Sequence, residues 1–289
     1  MRTKTLCICI LCFCWVASGS VNNIPDQSAA ASNPIITDDP LTSQPSDDHD
    51  GSPLQFTLAD WFSPEYHGLP DTRGNTVVFR AYVPWSIFSV EQLSRVSIPV
   101  VTASAAAPGG PSDGLITDTP TGPAGLGNIE LYDVSLLETP YGQFSGGPVF
   151  SFPTGTESGV GNGKWTVGPA IGFEAKEDDW SLGFFSQGFF SFAGNSIDPS
   201  VEKIKVQPII NISLPRGWEA GTSDMNFTYD WIKGRLTNIP LGFEIGKSFE
   251  IYSQKLKLSW QTEYNFADTS GSSAWTFRFT IEYLLPWER

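Results

Sequence analysis

The stretch WTFRFTIEYLL, from Trp275 to Leu285, decides the fold because its side chains alternate in chemistry along the chain. One set is apolar and consists of Trp275, Phe277, Phe279, Ile281, Tyr283 and Leu285; the other is mostly polar and consists of Thr276, Arg278, Thr280, Glu282 and Leu284. The stretch LKLSWQTEYNF, residues 256–266, alternates in the same way. A period of two indicates a β-strand with one apolar and one polar face.

Further segments of this kind run through the body of the chain, and several are longer than the ~5 to 6 residues usual in globular proteins. Strands are predicted at 54–62, 75–88, 92–103, 127–138, 142–153, 163–175, 179–191, 202–214, 217–229, 237–247, 254–266 and 274–285. Short connections alternate with longer polar or glycine-rich ones, which is the rhythm of outer-membrane barrels. We therefore predict an all-β fold, a transmembrane antiparallel up-and-down β-barrel of about 12 strands.

Two of these segments are irregular. Strand 179–191 has aromatic residues on both faces, at Phe184–Phe185 and again at Phe189–Phe190, which a bulge or a partly apolar lumen would explain. Strand 217–229 changes parity near Gly221. Both are expected to depart from a plain barrel wall.

The beginning of the chain has the form of a secretory signal peptide. Arg2 and Lys4 precede an apolar run at 6–16, which is too short to span a bilayer as a helix, and small residues at 17–19 supply a cleavage site. All four cysteines lie in this segment, so a mature chain has neither a disulfide nor a thiolate metal ligand. We expect a signal peptide at 1–20 and export to the bacterial outer membrane.

The next segment, 21–53, is acidic and contains no Lys or Arg, with many Ser, Pro and Asn residues. Such a composition favours a disordered arm, followed by the barrel at 54–289. The formal charge of the chain is −14, and loss of the two cations in the signal peptide makes it −16. Nucleic acid is therefore an unfavourable partner, and we expect outer-membrane lipid instead.

Tryptophans mark the ends of the predicted strands. Those near strand ends are Trp165, Trp180, Trp218, Trp231, Trp275 and Trp287. Amphipathic rings are favoured at both interfaces of a membrane, so we interpret these as interface aromatics. The alternative is a soluble lipocalin-like barrel or sandwich that buries its aromatic residues and turns its charged face outward.

Successive blocks of the chain resemble one protein family. The blocks are GGPVFSFPTGT (146–156), GNGKWTVGPA (161–170), SFAGNS (191–196), QPIINISLPRGW (207–218) and IPLGFEIGKSFEI (239–251). They resemble the bacterial outer-membrane proteins named for the meta-pathway of phenol degradation, some of which carry the label neuromedin U. The resemblance implies an outer-membrane barrel that passes small molecules, aromatic or hydrophobic ones among them. It brings no catalytic residues.

The polar faces of the predicted strands supply the candidate lumen residues. They are Lys164, Glu174, Lys203, Lys205, Asp224, Glu244, Lys257, Glu263, Arg278 and Glu282. Rings of charge of this kind could steer a solute through a pore. They could equally pair across neighbouring strands and fill a closed barrel, so a passive channel and a structural barrel both remain open.

An enzyme is disfavoured. A membrane-embedded lipid hydrolase needs a base beside its nucleophile, and the mature chain offers only His49, in the predicted arm, and His67, in the first long loop. Two such separated histidines do not form a zinc site. The run GVGNGKW (159–165) is no phosphate-binding loop, because Ser158 replaces its first glycine and Trp165 its hydroxyl residue. We predict no catalytic residues, cofactor or metal, and place Lys164 at the outer mouth.

Overall fold

The computed structural model describes residues 54–68, 73–103, 124–156, 160–251, 254–267, 269 and 272–285. The predicted signal peptide and acidic arm lie outside these residues. The strands are β1 Leu54–Tyr66, β2 Gly74–Ile87, β3 Val90–Ala103, β4 Gly125–Leu126, β5 Ile129–Thr139, β6 Gly142–Phe152, β7 Lys164–Glu177, β8 Trp180–Gly194, β9 Glu202–Leu214, β10 Trp218–Thr222, β11 Phe227–Asp230, β12 Arg235–Asn238, β13 Pro240–Ile251, β14 Gln254–Asn265 and β15 Ser273–Leu285. Within the described residues, no helix has the length and apolarity needed to cross a membrane.

The sheet is closed, because its last strand pairs with its first. β15 runs antiparallel to β1, from Leu54 opposite Leu285 to Tyr66 opposite Ser273. Neighbouring strands are antiparallel around the whole sheet, which has 12 strand positions. Two consecutive segments share a position in the pairs β4/β5, β10/β11 and β12/β13. The structure confirms the predicted antiparallel all-β barrel.

Tight connections lie at one end of the barrel, called here the turn end, and the longer ones lie at the opposite loop end. Between β2 and β3 stand Phe88 and Ser89, with φ angles of 49° and 64°. The connection from β9 to β10 has the same left-handed backbone at Arg216 and Gly217, with φ angles of 67° and 73°. This backbone conformation in a hairpin turn matches the right-handed twist of the flanking strands. The tight turns therefore keep consecutive strands paired as neighbours.

Side chains alternate between the outer surface and the interior along each strand. In β15, Phe279 is 48 % exposed on the outside, whereas Thr280 is 1 % exposed inside. In β14, Trp260 is likewise exposed and Gln261 is buried. The outer surface carries a belt of exposed Leu, Ile, Phe and Trp side chains, far larger than a soluble protein shows. A soluble barrel would bury its aromatic residues and turn its charged face outward, whereas here the apolar face is outside. The wall therefore fits contact with hydrocarbon.

Aromatic side chains of β8 lie on both surfaces of the wall. Phe184 and Phe190 are exposed outside, whereas Phe185 and Phe189 are buried inside. The register with β9 is regular across these residues, so the pattern does not arise from a bulge at this pairing. Of the two explanations that the sequence left open, the structure shows the partly apolar interior.

The face assignment predicts different outcomes for substitutions at adjacent positions of β15. Phe279→Arg places a charge against lipid near the middle of the strand and should lower the free energy of unfolding by ~2 to 4 kcal/mol. Thr280→Arg, its matched control, points into the polar interior and should cost clearly less. Urea titrations of both variants in lipid vesicles measure the difference. Equal losses would contradict the assignment of outer and inner faces.

Candidate functional site: the barrel interior

Each of the predicted lumen residues is buried, with at most 8 % of its surface exposed. The strands place three of them in one group and two in a second group, pair Glu263 with Arg278, bring Asp224 against Arg80, and leave two near the ends. A polar interior is the pattern of outer-membrane barrels that enclose a water-filled or plugged lumen. The contacts within each group decide what the interior can bind.

The first group, called here the acidic cluster, consists of Lys257 with Glu219, Glu244 and Glu282. The ammonium nitrogen of Lys257 lies 3.1 Å from carboxylate oxygens of both Glu219 and Glu244, and 3.8 Å from one of Glu282. Lys257 stands opposite Glu282 across the β14–β15 ladder. Because one cation faces three carboxylates, this side of the interior keeps an excess of negative charge.

Arg278 extends the polar side towards the loop end. Its guanidinium binds Glu263 through two nitrogens, with Nη2–Oε1 at 2.7 Å and Nη1–Oε2 at 3.1 Å. It also donates to Oε1 of Gln261 at 3.1 Å and lies 4.6 Å from the ring centroid of Trp61. This bidentate geometry is the strong form of an arginine–carboxylate pair, so Arg278 and Glu263 stabilise each other inside the wall.

The wall is interrupted between β10 and β11, and this explains the change of parity that the sequence shows near Gly221. At this point β9 contains Pro208, which has no N–H to donate. The hydroxyl of Thr222 replaces the missing ladder bonds. It accepts a hydrogen bond from the main-chain N–H of Ile210 on β9 at 3.1 Å and donates one to the carbonyl of Pro208 at 3.2 Å. Residues 223–226, called here the inward segment, leave the ladder, and Asp224 is buried inside.

Asp224 joins opposite parts of the barrel. Its carboxylate lies 3.3 Å from Nη1 of Arg80 on β2, and accepts a hydrogen bond from Gln207 at 3.4 Å. Its main-chain N–H donates to Gln261 at 3.1 Å. Since β2 and the inward segment are not neighbours in the sheet, the pair of Arg80 and Asp224 crosses the interior. This ion pair narrows the lumen.

The second group, called here the cation–aromatic cluster, consists of Arg95, Glu130, Tyr132, Phe185, Phe189, Lys203 and Lys205. The guanidinium of Arg95 lies 4.3 Å from the ring centroid of Tyr132, and that ring is 5.4 Å from Phe185. Nζ of Lys205 lies 3.7 Å from a carboxylate oxygen of Glu130 on β5. Cations over aromatic faces are stabilised by the ring quadrupole. The cluster is therefore cationic and apolar at once.

The remaining two candidates lie near the ends of β7. Lys164, at the loop end, donates a hydrogen bond to the main-chain oxygen of Asn195. Glu174, nearer the turn end, hydrogen-bonds to Ser181 on β8. Neither joins the two groups described above, and Lys164 holds the connection after β8 against the wall.

Five of the predicted interface tryptophans are 36 % to 52 % exposed and lie near strand ends: Trp165, Trp180, Trp218, Trp231 and Trp275. Trp165, Trp231 and Trp275 are at the loop end, whereas Trp180 and Trp218 are at the turn end. Trp287 lies outside the described residues. The two sets thus mark both ends of the apolar belt, where the two membrane interfaces would lie.

Sequence reasoning missed several interior charges. Arg80, Arg95 and Glu219 are buried, and Glu130 lies beside Lys205 in the interior. The two arginines were missed because β2 and β3 carry apolar residues on both faces, which hides the alternation. The signal was nevertheless present, because Arg95 shares its parity with Ser97. A charge inside an otherwise apolar strand would have sufficed to assign the inner face.

His67 has a local partner at the loop end. Its Nε2 lies 2.8 Å from the main-chain oxygen of Asn265, and its ring meets Tyr264 edge-on at 6.0 Å. Among the residues that the structure describes, no three His, Asp or Glu side chains are grouped to hold a metal ion. The contacts of His67 are those of a residue that fixes a loop.

Comparison with known proteins gives a structural likeness. No family model matches the sequence, and no curated protein matches it. The resemblance to the phenol meta-pathway family therefore stays a prediction. The crystal structure of the COG4313 outer membrane channel from Pseudomonas putida F1 is similar to this chain, with a TM-score of 0.55 and 11 % sequence identity, over 81 % of this chain and 96 % of that one. The two chains share a barrel fold.

Proposed function

We propose that the protein is an outer-membrane channel through which small molecules, aromatic or hydrophobic ones among them, pass passively. The observation that carries this proposal is the division of the interior into an acidic cluster and a cation–aromatic cluster, each built from charged residues directed away from lipid. Buried charge is costly, and a wall needing only stability would be better filled with apolar side chains. The fold shared with a known channel supports the same function.

A closed structural barrel is the second candidate, and one observation favours it. The ion pair between Arg80 and Asp224 crosses the interior, with both side chains almost fully buried. If this contact is permanent, the barrel is a surface or structural protein with a filled lumen. The two functions differ in whether the lumen conducts.

Planar-bilayer recording of the purified, refolded protein separates the two functions. We expect resolvable single-channel currents, and a larger conductance for Asp224→Asn, because the substitution removes the charge that holds Arg80 across the lumen. The matched control is Asp230→Asn, whose carboxylate pairs with Lys233 at 3.9 Å beside the loop end and should leave the conductance unchanged. Absence of current from both the wild-type and the Asp224→Asn protein would favour the closed barrel.

The orientation in the outer membrane is tested by cysteine labelling of intact cells. Ser196→Cys lies in an exposed connection at the loop end, and Asp178→Cys lies in an exposed tight turn at the opposite end. We expect an impermeant maleimide to label Ser196→Cys on intact cells and Asp178→Cys only after the outer membrane is opened, because long loops face outside. The reverse pattern would invert the topology.

Measurements of ion selectivity test whether the charge of Lys164 acts on ions at the mouth of the lumen, at the loop end. Lys164→Gln keeps a donor for the carbonyl of Asn195 but removes the positive charge, so the reversal potential in a salt gradient should shift towards cations. The shift should shrink at high salt, since the screening length falls to ~3 Å at 1 M. Lys176→Gln, on the exposed end of β7 near the turns, is the control for position. An unchanged reversal potential would remove Lys164 from the permeation path.

A further inference from the structure

Asp60 is a carboxylate on the lipid-facing surface of the wall. Its neighbours Ala59 and Trp61 are buried inside, so Asp60 is directed outward, where it is exposed. It stands opposite Phe279 in the β1–β15 ladder, at a level where the outer surface of β15 is apolar. The side-chain amide of Asn75 donates a hydrogen bond to it at 2.6 Å. A carboxylate at this depth is unfavourable unless protein covers it, because hydrocarbon does not solvate the charge.

Asp133 is a second outward carboxylate, on β5. Tyr132 and Val134, on either side of it, are buried inside. Its carboxylate accepts hydrogen bonds from the hydroxyl of Ser94 at 2.7 Å and from the indole N–H of Trp85 at 3.2 Å. These side chains form a polar network on the outer surface of β2, β3 and β5. Within a membrane, polar side chains of this kind hydrogen-bond where spanning segments contact one another.

The two outward carboxylates lie on one side of the barrel, called here the β1–β5 face and defined as the outward side chains of β1, β2, β3 and β5. Away from the strand ends, no other described strand directs a carboxylate outward. Lys247 of β13 is an outward cation, but it lies 5.5 Å from the ring centroid of Trp218 and thus at the turn-end interface. The β1–β5 face therefore differs in chemistry from the remaining wall.

The interface tryptophans of the loop end lie outside the β1–β5 face. Trp165 is on β7, Trp231 follows β11, and Trp275 is on β15. Amphipathic rings are favoured where a wall meets the lipid interface, so they mark that part of the wall as facing lipid. On the β1–β5 face, the exposed tryptophan is Trp85, which lies near the turn end and is engaged by Ser94 and Asp133.

The β1–β5 face also carries a cation that Asp60 can meet in a neighbouring copy. Arg73 stands directly before β2 at the loop end and is exposed. Because Gly74 and Thr76 are buried inside, the alternation of β2 places Arg73 on the outer side together with Asn75. The ion pairs among the described residues do not include Arg73. The face is thus complementary in charge to itself.

We propose that the β1–β5 face is the contact surface between copies of this chain in the outer membrane, with Arg73 of one copy on Asp60 of the next. Copies related by an axis along the membrane normal share one orientation, so loop-end residues of one copy meet loop-end residues of the other. The same contact covers the polar network around Asp133. The association does not depend on whether the lumen conducts.

Sedimentation equilibrium of the refolded, full-length protein in a density-matched detergent measures this association. We expect the wild type to be oligomeric, and Asp60→Asn to raise the dissociation constant about tenfold or more, because a hydrogen bond between charged groups is lost. Arg73→Gln should weaken association by a similar factor. Lys247→Gln is the matched control, since it removes an outward charge from β13 and should leave the dissociation constant unchanged.

A double variant separates an ion pair between copies from two unrelated losses. The chain with both Asp60→Asn and Arg73→Gln should associate no more weakly than either single variant, because both substitutions remove the same contact. Heat-modifiability on gels checks that each variant is folded. Losses that add in the double variant would overturn the pairing of Arg73 with Asp60, as would an unchanged dissociation constant in a folded Asp60→Asn protein.

Cross-linking in isolated outer membranes tests the surface without detergent. Phe79→Cys places a thiol on the β1–β5 face and Ile245→Cys places one on β13, at positions 40 % and 41 % exposed. With a short bis-maleimide we expect a dimer from Phe79→Cys and not from Ile245→Cys, and a lower yield when Asp60→Asn is added to Phe79→Cys. The unsubstituted chain corrects for its own four cysteines.

The cross-linked product identifies what covers the face. A dimer of this chain supports the inference. Equal yields from Phe79→Cys and Ile245→Cys would overturn it, and a product that joins Phe79→Cys to a different protein would replace the second copy as the partner. A monomeric wild type in detergent that also gives no cross-link in membranes would show that the β1–β5 face meets lipid.

Discussion

The pairing of β15 with β1 is the constraint on which the rest of the structure depends. A strand edge in lipid would leave a row of N–H and C=O groups without partners, at a cost of several kcal/mol for each group. Closure removes both edges and fixes two surfaces of opposite chemistry, because side chains alternate along every strand. The apolar belt outside and the charged groups inside follow from this single ladder.

Closure also places charged side chains inside the barrel. The two sides of the interior stabilise these charges by different contacts. Near β14, a lysine contacts three carboxylates, and polar side chains donate to their other oxygens: Gln261 to Glu244 at 2.8 Å, Gln55 to Glu282 at 3.3 Å and Ser248 to Glu219 at 3.0 Å. Around β3 and β5, cations lie on aromatic rings, and Lys205 also lies beside the carboxylate of Glu130. The first side therefore relies on ion pairs and hydrogen bonds, and the second relies on cation–aromatic contacts as well.

The sequence predicted the inner and outer faces of a strand best where apolar and polar side chains alternate strictly. β14 and β15 could be assigned residue by residue, since each has an almost wholly apolar face, and Lys257 and Glu282 lie inside as that pattern requires. Contacts between distant strands could not be predicted from the sequence. No spacing in the sequence brings Arg80 to Asp224, because their meeting depends on closure and on the break beside Pro208. The inner aromatic residues of β8 were visible only as an irregularity.

The inward segment gives the barrel a part that can move without opening the wall. Individual contacts hold it in place of a ladder: the ion pair of Asp224 with Arg80, hydrogen bonds that join Asp224 to Gln207 and Gln261, bonds from Ser223 to Glu263 and Gly242, and a bond from Asn238 to the main-chain oxygen of Asn226. Each such hydrogen bond is worth ~0.5 to 1.5 kcal/mol, far less than a ladder. The flanking pairs of β10 and β11 with β9 lie outside the segment. Rearranging these four residues would therefore break this set of contacts while the ladders on either side stay paired, an event separate from the cooperative unfolding of the sheet.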